Sequence, residues 1–235
     1  MILEMLATDV VTAARTWRMA EYGGRASKIR DAIVEPLWTG PRVLAFVTDT
    51  EASMTDAAGE PVEHREDVLA ALVEASQGAA LLVEGVLTSQ PLQELEQVAA
   101  RDDLAAPTPS QMATRMIFGD RSARKAQLEA RLDDLRRRLP DDTDVEVAFV
   151  AVDLRWLDDQ SICDVPLLER KRLLESVLQP SRLVRLGTYV RPPIDSWLTA
   201  WRLFGFRRMS YRAANSRYVP GARNRDWAQA DIPRR

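Results

Sequence analysis

The sequence predicts an α+β fold in which mainly antiparallel sheets are flanked by helices. Apolar runs typical of buried strands are interspersed with segments of helical periodicity. Several of the strand-like runs are joined without a helix between them, which disfavours a doubly wound parallel sheet. The paired glycines in "EYGGRAS" are not followed by the Gly-Lys-Ser/Thr of a phosphate-binding loop.

The first third of the chain is predicted to hold a strand and a helix. In "EPLWTGPRVLAFV", residues 35–47, Gly40 and Pro41 indicate a turn, and the apolar residues after it indicate a buried strand over 42–50. Residues 64–77 predict a helix. Its apolar face consists of Val68, Leu69, Leu72 and Val73.

The middle of the chain is predicted to contain two strands separated by helices. Residues 79–88 have the apolar character of a strand, which Gly85 is expected to interrupt. Residues 91–104 predict a helix, and a leucine stripe over 120–139 predicts another. For this last helix, packing on its own domain is favoured over binding a partner. The strongest predicted strand covers 145–157.

The last third is predicted to alternate helices and strands. A helix is expected over 164–178 with Asp164 as its N-cap, a strand over 182–190, and a helix over 193–205 that Gly205 closes. A short strand, a turn-rich loop and a final strand are expected after it.

Composition and charge restrict the class of protein. Of 235 residues, 46% are apolar and 29% are charged, as in soluble globular domains. The single Cys163 and single His64 argue against a disulfide framework, a cysteine zinc site and histidine metal clusters. No signal peptide or membrane span is predicted, and a cytoplasmic location is expected.

The end of the chain is rich in positive charge. The segment from residue 182 onward contains twelve arginines and three aspartates. This excess suggests either a solvated surface or a surface that binds a polyanion.

Four segments carry motif spacings that belong together. "EPLWTGPRVLAF" is similar to E-x-K-x-D-G-x-R, and "LLVEGVLT" is similar to a strand that contains D-G-E. "FVAVDLRWLDDQSICDVPLLERKRLL" is similar to F-D-L-L-x-L-D-G followed by an arginine-rich helix, and "GFRRMSYRAANSRYVPGARNRDWAQAD" is similar to E-G-x-V-x-K, S-x-Y-x-P-G and W-x-K-x-K in succession. In this order, after "MLA" at 5–7, they resemble the adenylation domain of ATP-dependent DNA ligases, which are nucleotidyltransferases.

The resemblance implies a single ligase-adenylation-like domain over residues 1–235. Its expected parts are an N-terminal lead-in over 1–34, a helical insertion over 105–144 and a basic C-terminal part over 182–235. The OB-fold domain that ligases close over DNA is not expected. The resemblance also implies a nucleotide pocket at Glu35, Leu37, Thr39, Gly40, Arg42, Glu84, Val86, Val152, Arg207, Arg212, Gln229 and Asp231.

The pocket positions depart from the family pattern. In the family, a lysine at the position of Leu37 attacks the α-phosphate of ATP, and an alkyl side chain cannot do so. Family carboxylates are replaced by Thr39, Val86 and Arg207, the aromatic that packs on adenine by Val152, and lysines by Arg212, Gln229 and Asp231. We therefore expect no catalytic residue, no metal site and no ATP or magnesium cofactor.

The sequence thus favours a degenerate ligase-like domain that serves as a DNA-binding or accessory module in DNA repair or end joining. The expected partners are duplex DNA or DNA ends, or an active ligase or repair protein, and no membrane. The candidate DNA-binding residues are Arg207, Arg208, Arg212, Arg217, Arg223 and Arg225.

Two alternatives remain open. One is an active nucleotidyltransferase or DNA ligase that uses a non-standard lysine, for which Lys28 is nearest in sequence. The other is a structural or oligomeric scaffold that binds no nucleic acid.

Overall fold

The computed structural model describes residues 18–90 and 146–233, within which eleven β-strands and three α-helices are formed. The strands are β1 (Glu21–Tyr22), β2 (Ala32–Pro36), β3 (Arg42–Val47), β4 (Ala52–Asp56), β5 (Leu81–Thr88), β6 (Ala148–Leu157), β7 (Gln160–Ser161), β8 (Val184–Leu186), β9 (Arg208–Ala213), β10 (Arg223–Asn224) and β11 (Trp227–Asp231). The helices are α1 (Glu66–Ser76), α2 (Leu167–Val177) and α3 (Asp195–Leu203). In these parts of the chain, no helix is long and apolar enough to cross a membrane.

The strands form two sheets and one short pair. The larger sheet has the order β4-β3-β5-β6-β7, with β8 paired to β6, and every pairing except β6–β8 is antiparallel. The smaller sheet has the antiparallel order β11-β9-β2, and β1 pairs with β10 in parallel. The predicted α+β fold with mainly antiparallel sheets is therefore confirmed.

Each sheet contributes to an apolar core of its own. The larger sheet packs with α1 and α2, and Leu72, Val83 and Phe149 are fully buried there. The smaller sheet packs with α3 and with Val86 and Val150 of the larger sheet, and Trp201 and Phe206 are the largest fully buried side chains there. We call this second cluster the tryptophan core. Burial of large side chains on this scale is the dominant favourable contribution to folding.

Two local expectations are wrong. Gly85 does not end its strand, because β5 continues through it with every residue buried, but the register of pairing with β6 shifts between Glu84 and Gly85. A Cβ at Gly85 would overlap the Phe149 ring and the Val150 carbonyl, so this glycine permits the close approach of β6. Asp164 does not cap α2, which begins at Leu167 after Pro166. Its carboxylate accepts a hydrogen bond from Arg217 instead.

Other expectations differ in extent. The strand expected over 182–190 is confined to β8, with one isolated bridge between Val34 and Val190. The sequence pattern assigns Glu35 and Pro36 to a turn, but they end strand β2. That strand is at the edge of the smaller sheet, where a terminal proline is tolerated. The helices predicted over 91–104 and 120–139 lie outside the described residues.

Candidate functional site

The turn after β2 holds the position that corresponds to the nucleophile of the family. Leu37 is half-buried, and its backbone N–H donates to the Arg208 carbonyl at 2.9 Å. Trp38 is buried and packs edge-to-face on Phe206 with 4.6 Å between ring centroids. Gly40 has φ of 140°, and a Cβ there would overlap the Leu87 carbonyl. Only glycine therefore fits this close approach of the turn to β5.

Eight charged side chains form a continuous cluster between the two sheets and α2, which we call the buried ion-pair network. Three carboxylates face five cations, and all but Arg42 are at most 5% exposed. Charges so buried are tolerated only when they are paired. The members are Glu35, Arg42, Glu84, Asp153, Arg155, Arg170, Lys171 and Arg212.

Asp153 on β6 is the most connected member. Arg170 from α2 donates to both carboxylate oxygens, with Nε 2.9 Å from Oδ1 and Nη2 3.0 Å from Oδ2. Arg212 Nη1 donates to Oδ2 at 3.2 Å, and Arg155 Nη1 lies 2.7 Å from the same oxygen. Burial by itself would raise the pKa of Asp153, but the three guanidinium groups hold that pKa well below its usual range.

Glu84 on β5 is held by two arginines and a tyrosine. Arg42 and Arg155 each donate to its carboxylate, and the Tyr218 hydroxyl donates at 3.1 Å. Burial opposes ionisation, yet Arg155 and Arg42 lower the pKa of Glu84 to about 2. Arg155 also lies over the Tyr218 ring, with Cζ 3.2 Å from the centroid, a cation–π arrangement. The ring thus covers a guanidinium whose Nε makes no hydrogen bond with the described residues.

Glu35 on β2 completes the network from the smaller sheet. One carboxylate oxygen accepts from Arg212 Nε at 2.9 Å and from Nη2, and the other accepts from Lys171 Nζ on α2. Burial lowers the pKa of Lys171, and the Glu35 carboxylate partly opposes this effect. Because Arg212 also reaches Asp153, a single guanidinium links the smaller sheet to the larger one.

The remaining predicted pocket positions lie outside the network. Val86 is buried in the tryptophan core, and Val152 packs against it. Thr39 and Arg207 are exposed, as is Asp231. Gln229 is half-buried and accepts a hydrogen bond from the exposed Arg208. Of the twelve predicted positions, the structure brings Glu35, Arg42, Glu84 and Arg212 together.

Sequence reasoning missed four members of the network. Asp153, Arg155, Arg170 and Lys171 are not among the pocket positions that the sequence predicts. A usable signal was Arg155, since an arginine inside the apolar run "FVAVDLRWL" requires a buried partner.

Comparison with solved structures identifies the class of fold. No protein-family model and no curated protein matches the chain. The ligase domain of LigD from M. tuberculosis is 20% identical with a TM-score of 0.57, over 91% of this chain and 58% of that one. A mycobacterial DNA ligase D complexed with ATP and MES gives a TM-score of 0.56 at 20% identity with the same coverage. Lig E DNA ligases give 0.50 at 11% identity, over 91% and 68%.

These likenesses show that the chain has a fold similar to that of DNA ligase domains, as the sequence resemblance predicted. The described residues contain no OB-fold. The chain spans 58% of the length of the two LigD chains.

The side chains at the nucleotide positions do not fit ATP and magnesium. Leu37 offers no nucleophile, and the Glu35, Glu84 and Asp153 carboxylates are already engaged by protein cations. Across residues 18–90 and 146–233, no three His, Cys, Asp or Glu side chains are grouped as metal ligands.

Replacing Arg212 by methionine is expected to destabilise the fold by about 3–5 kcal/mol, because Glu35 and Asp153 each lose a buried partner. Urea unfolding measures this difference. The matched control is Arg208→Met on the same strand, where the arginine is exposed and the expected loss is below about 0.5 kcal/mol. Equal losses for the two variants would contradict the network's role.

The Glu84 carboxylate should make stability depend on acid pH. Its pKa is lowered from 4.5 to about 2 on folding, so its contribution is present above pH 4.5 and disappears as the pH falls through about 2. The free energy of unfolding should therefore differ between the wild type and Glu84→Gln by several kcal/mol at pH 7. That difference should shrink by on the order of 3 kcal/mol between pH 5 and pH 2. A difference independent of pH would show that Glu84 is not ionised in the network.

Proposed function

We propose that this protein is a degenerate DNA ligase-like domain that does not form an adenylate and acts as a DNA-binding or accessory module. The observation that carries the proposal is the buried ion-pair network. It occupies family nucleotide positions with salt bridges internal to the protein, while the nucleophile position holds Leu37.

The buried network bears directly on phosphate binding. Arg212 stands at the position of a phosphate-binding lysine in the family pattern, but it is 3% exposed and its guanidinium bonds to Glu35 and Asp153. A phosphate at this position would have to displace two buried carboxylates, and each would then be left without this cation. This cost argues against a nucleotide in the former pocket.

The chain's other arginines are better placed to contact DNA. Arg207, Arg208, Arg217, Arg223 and Arg225 are exposed, and we leave the buried Arg212 out of the proposed surface. The pairing of β1 with β10 also brings the exposed Arg25 near Arg225. The N–H of Gly24, the residue before Arg25, donates to the carbonyl of Trp227, two residues after Arg225. Exposed guanidinium groups bind phosphate oxygens without reading the base sequence.

Acidic groups beside two of these arginines moderate their charge. Arg217 donates to the carboxylate and the carbonyl of Asp164, and Glu21 pairs with Arg223 in the β1–β10 register. Duplex binding should accordingly depend on salt and be indifferent to sequence. Lig E DNA ligases, whose fold is similar, bind DNA with a minimal scaffold.

DNA binding is tested with nicked and blunt duplexes over a range of salt concentration. Replacing Arg217, Arg223 and Arg225 by glutamine should weaken binding and reduce the slope of log K against log salt by about 2–3. The matched control replaces Arg65, Arg172 and Arg182, which are arginines outside this surface, so that the net charge changes equally. If the wild type binds neither duplex at low salt, the DNA proposal fails and the scaffold alternative gains support.

Catalysis is tested by incubating the protein with magnesium and ATP labelled on the α-phosphate, followed by mass spectrometry. Neither the wild type nor Leu37→Lys should carry a covalent AMP, because the Glu35 and Glu84 carboxylates are already paired with arginines and are not available to hold magnesium. An adduct on Lys28, Lys125 or Lys171 of the wild type would support an active nucleotidyltransferase with a non-standard lysine.

A further inference from the structure

A cavity of about 350 Å³ lies apart from the ion-pair network and includes none of the twelve predicted pocket positions. It is bounded by a short 3₁₀ helix over Ala26–Lys28, the start of β2, strand β9 and the loop before α3. Its apolar walls are Ala26, Ile29, Ala32 and Pro192. This volume is at the lower end of the range for small-ligand sites, large enough for one planar ring system.

The polar groups in the cavity are few and differ in chemistry. Asp31 and Arg191 form an ion pair of 2.9 Å at the rim, and both side chains are about half exposed. Tyr211 contributes a phenol whose hydroxyl makes no hydrogen bond with the described part of the chain, and burial raises its pKa. A carboxylate, a guanidinium and a free hydroxyl together can bond the amino and carbonyl groups on the edge of a heteroaromatic ring.

The surroundings of the cavity are positively charged. Arg25, Lys28 and Arg30 are exposed and alternate along the chain with the lining residues Ala26, Ile29 and Asp31. Together with Arg191, these three residues place four cations beside the Asp31 carboxylate. A ligand with a ring for the apolar walls and an anionic group for this rim would satisfy both features.

We propose that this cavity binds a nucleotide, with the base against the apolar walls and the phosphate among the basic residues of the rim. The nucleotide is either free in solution or the unpaired terminal nucleotide of a DNA strand. The second source rests on the proposed DNA binding, whereas the first does not.

The test compares the wild type with a variant in which the cavity is filled. Ala26→Phe places a ring into the cavity without changing charge, and Ser27→Phe makes the same addition at the exposed neighbour that does not line it. Calorimetry measures the affinity for dAMP, for a blunt hairpin duplex, and for the same hairpin with a short unpaired end. Thermal melting of each variant establishes that it is folded.

The wild type and Ser27→Phe are expected to bind dAMP and to prefer the unpaired end by about tenfold, the effect of one stacked base. Ala26→Phe should lose both the dAMP binding and the preference, and still bind the blunt hairpin. If the wild type binds the blunt hairpin but shows neither dAMP binding nor a preference, the cavity proposal is overturned and DNA binding stands. If the wild type binds no DNA but binds dAMP through this cavity, the proposed function fails and the site remains one for free nucleotide. Absence of binding to all three probes overturns both.

Discussion

The guanidinium of Arg212 is the connection between the two sheets on which the rest of the site depends. It extends from β9 in the smaller sheet, bonds to Glu35 on β2, and reaches Asp153 on β6 in the larger sheet. Because both carboxylates are buried, each would carry a large desolvation cost without a cation. The relative position of the sheets is therefore fixed by paired charges as well as by apolar packing.

The network brings residues at ligase-like positions into contact with one another. In phosphoryl transfer, cations face the phosphates and carboxylates face the metal, so both need access to the ligand. In this chain these groups neutralise each other, and Lys171, Arg170 and Arg155 strengthen the arrangement from α2 and β6. The Glu84 and Asp153 carboxylates are kept ionised in the folded state, because neighbouring guanidinium groups lower their pKa values. The proposal of a degenerate enzyme is based on this mutual pairing of charges.

Much of the fold could be predicted from periodicity and turn residues. The strands around Val43 and Phe149 and the helices α1 and α3 lie where the patterns of apolar residues place them, because burial of one face imposes those patterns. Strand β2 could not be predicted, since five residues ending in proline carry little periodic signal. Gly85 was misjudged because its role depends on Phe149, more than sixty residues away.

The sequence by itself determined the class of fold and the absence of a lysine at residue 37, since motif spacing and side-chain identity are local properties. Only the tertiary structure decided that Arg212 is buried, and that Glu35, Glu84 and Asp153 share cations with Arg155 and Lys171. An arginine on a strand has the same identity whether it faces solvent or a carboxylate. Its burial and its partners depend on which strands and helices pack together, and that is a property of the folded chain.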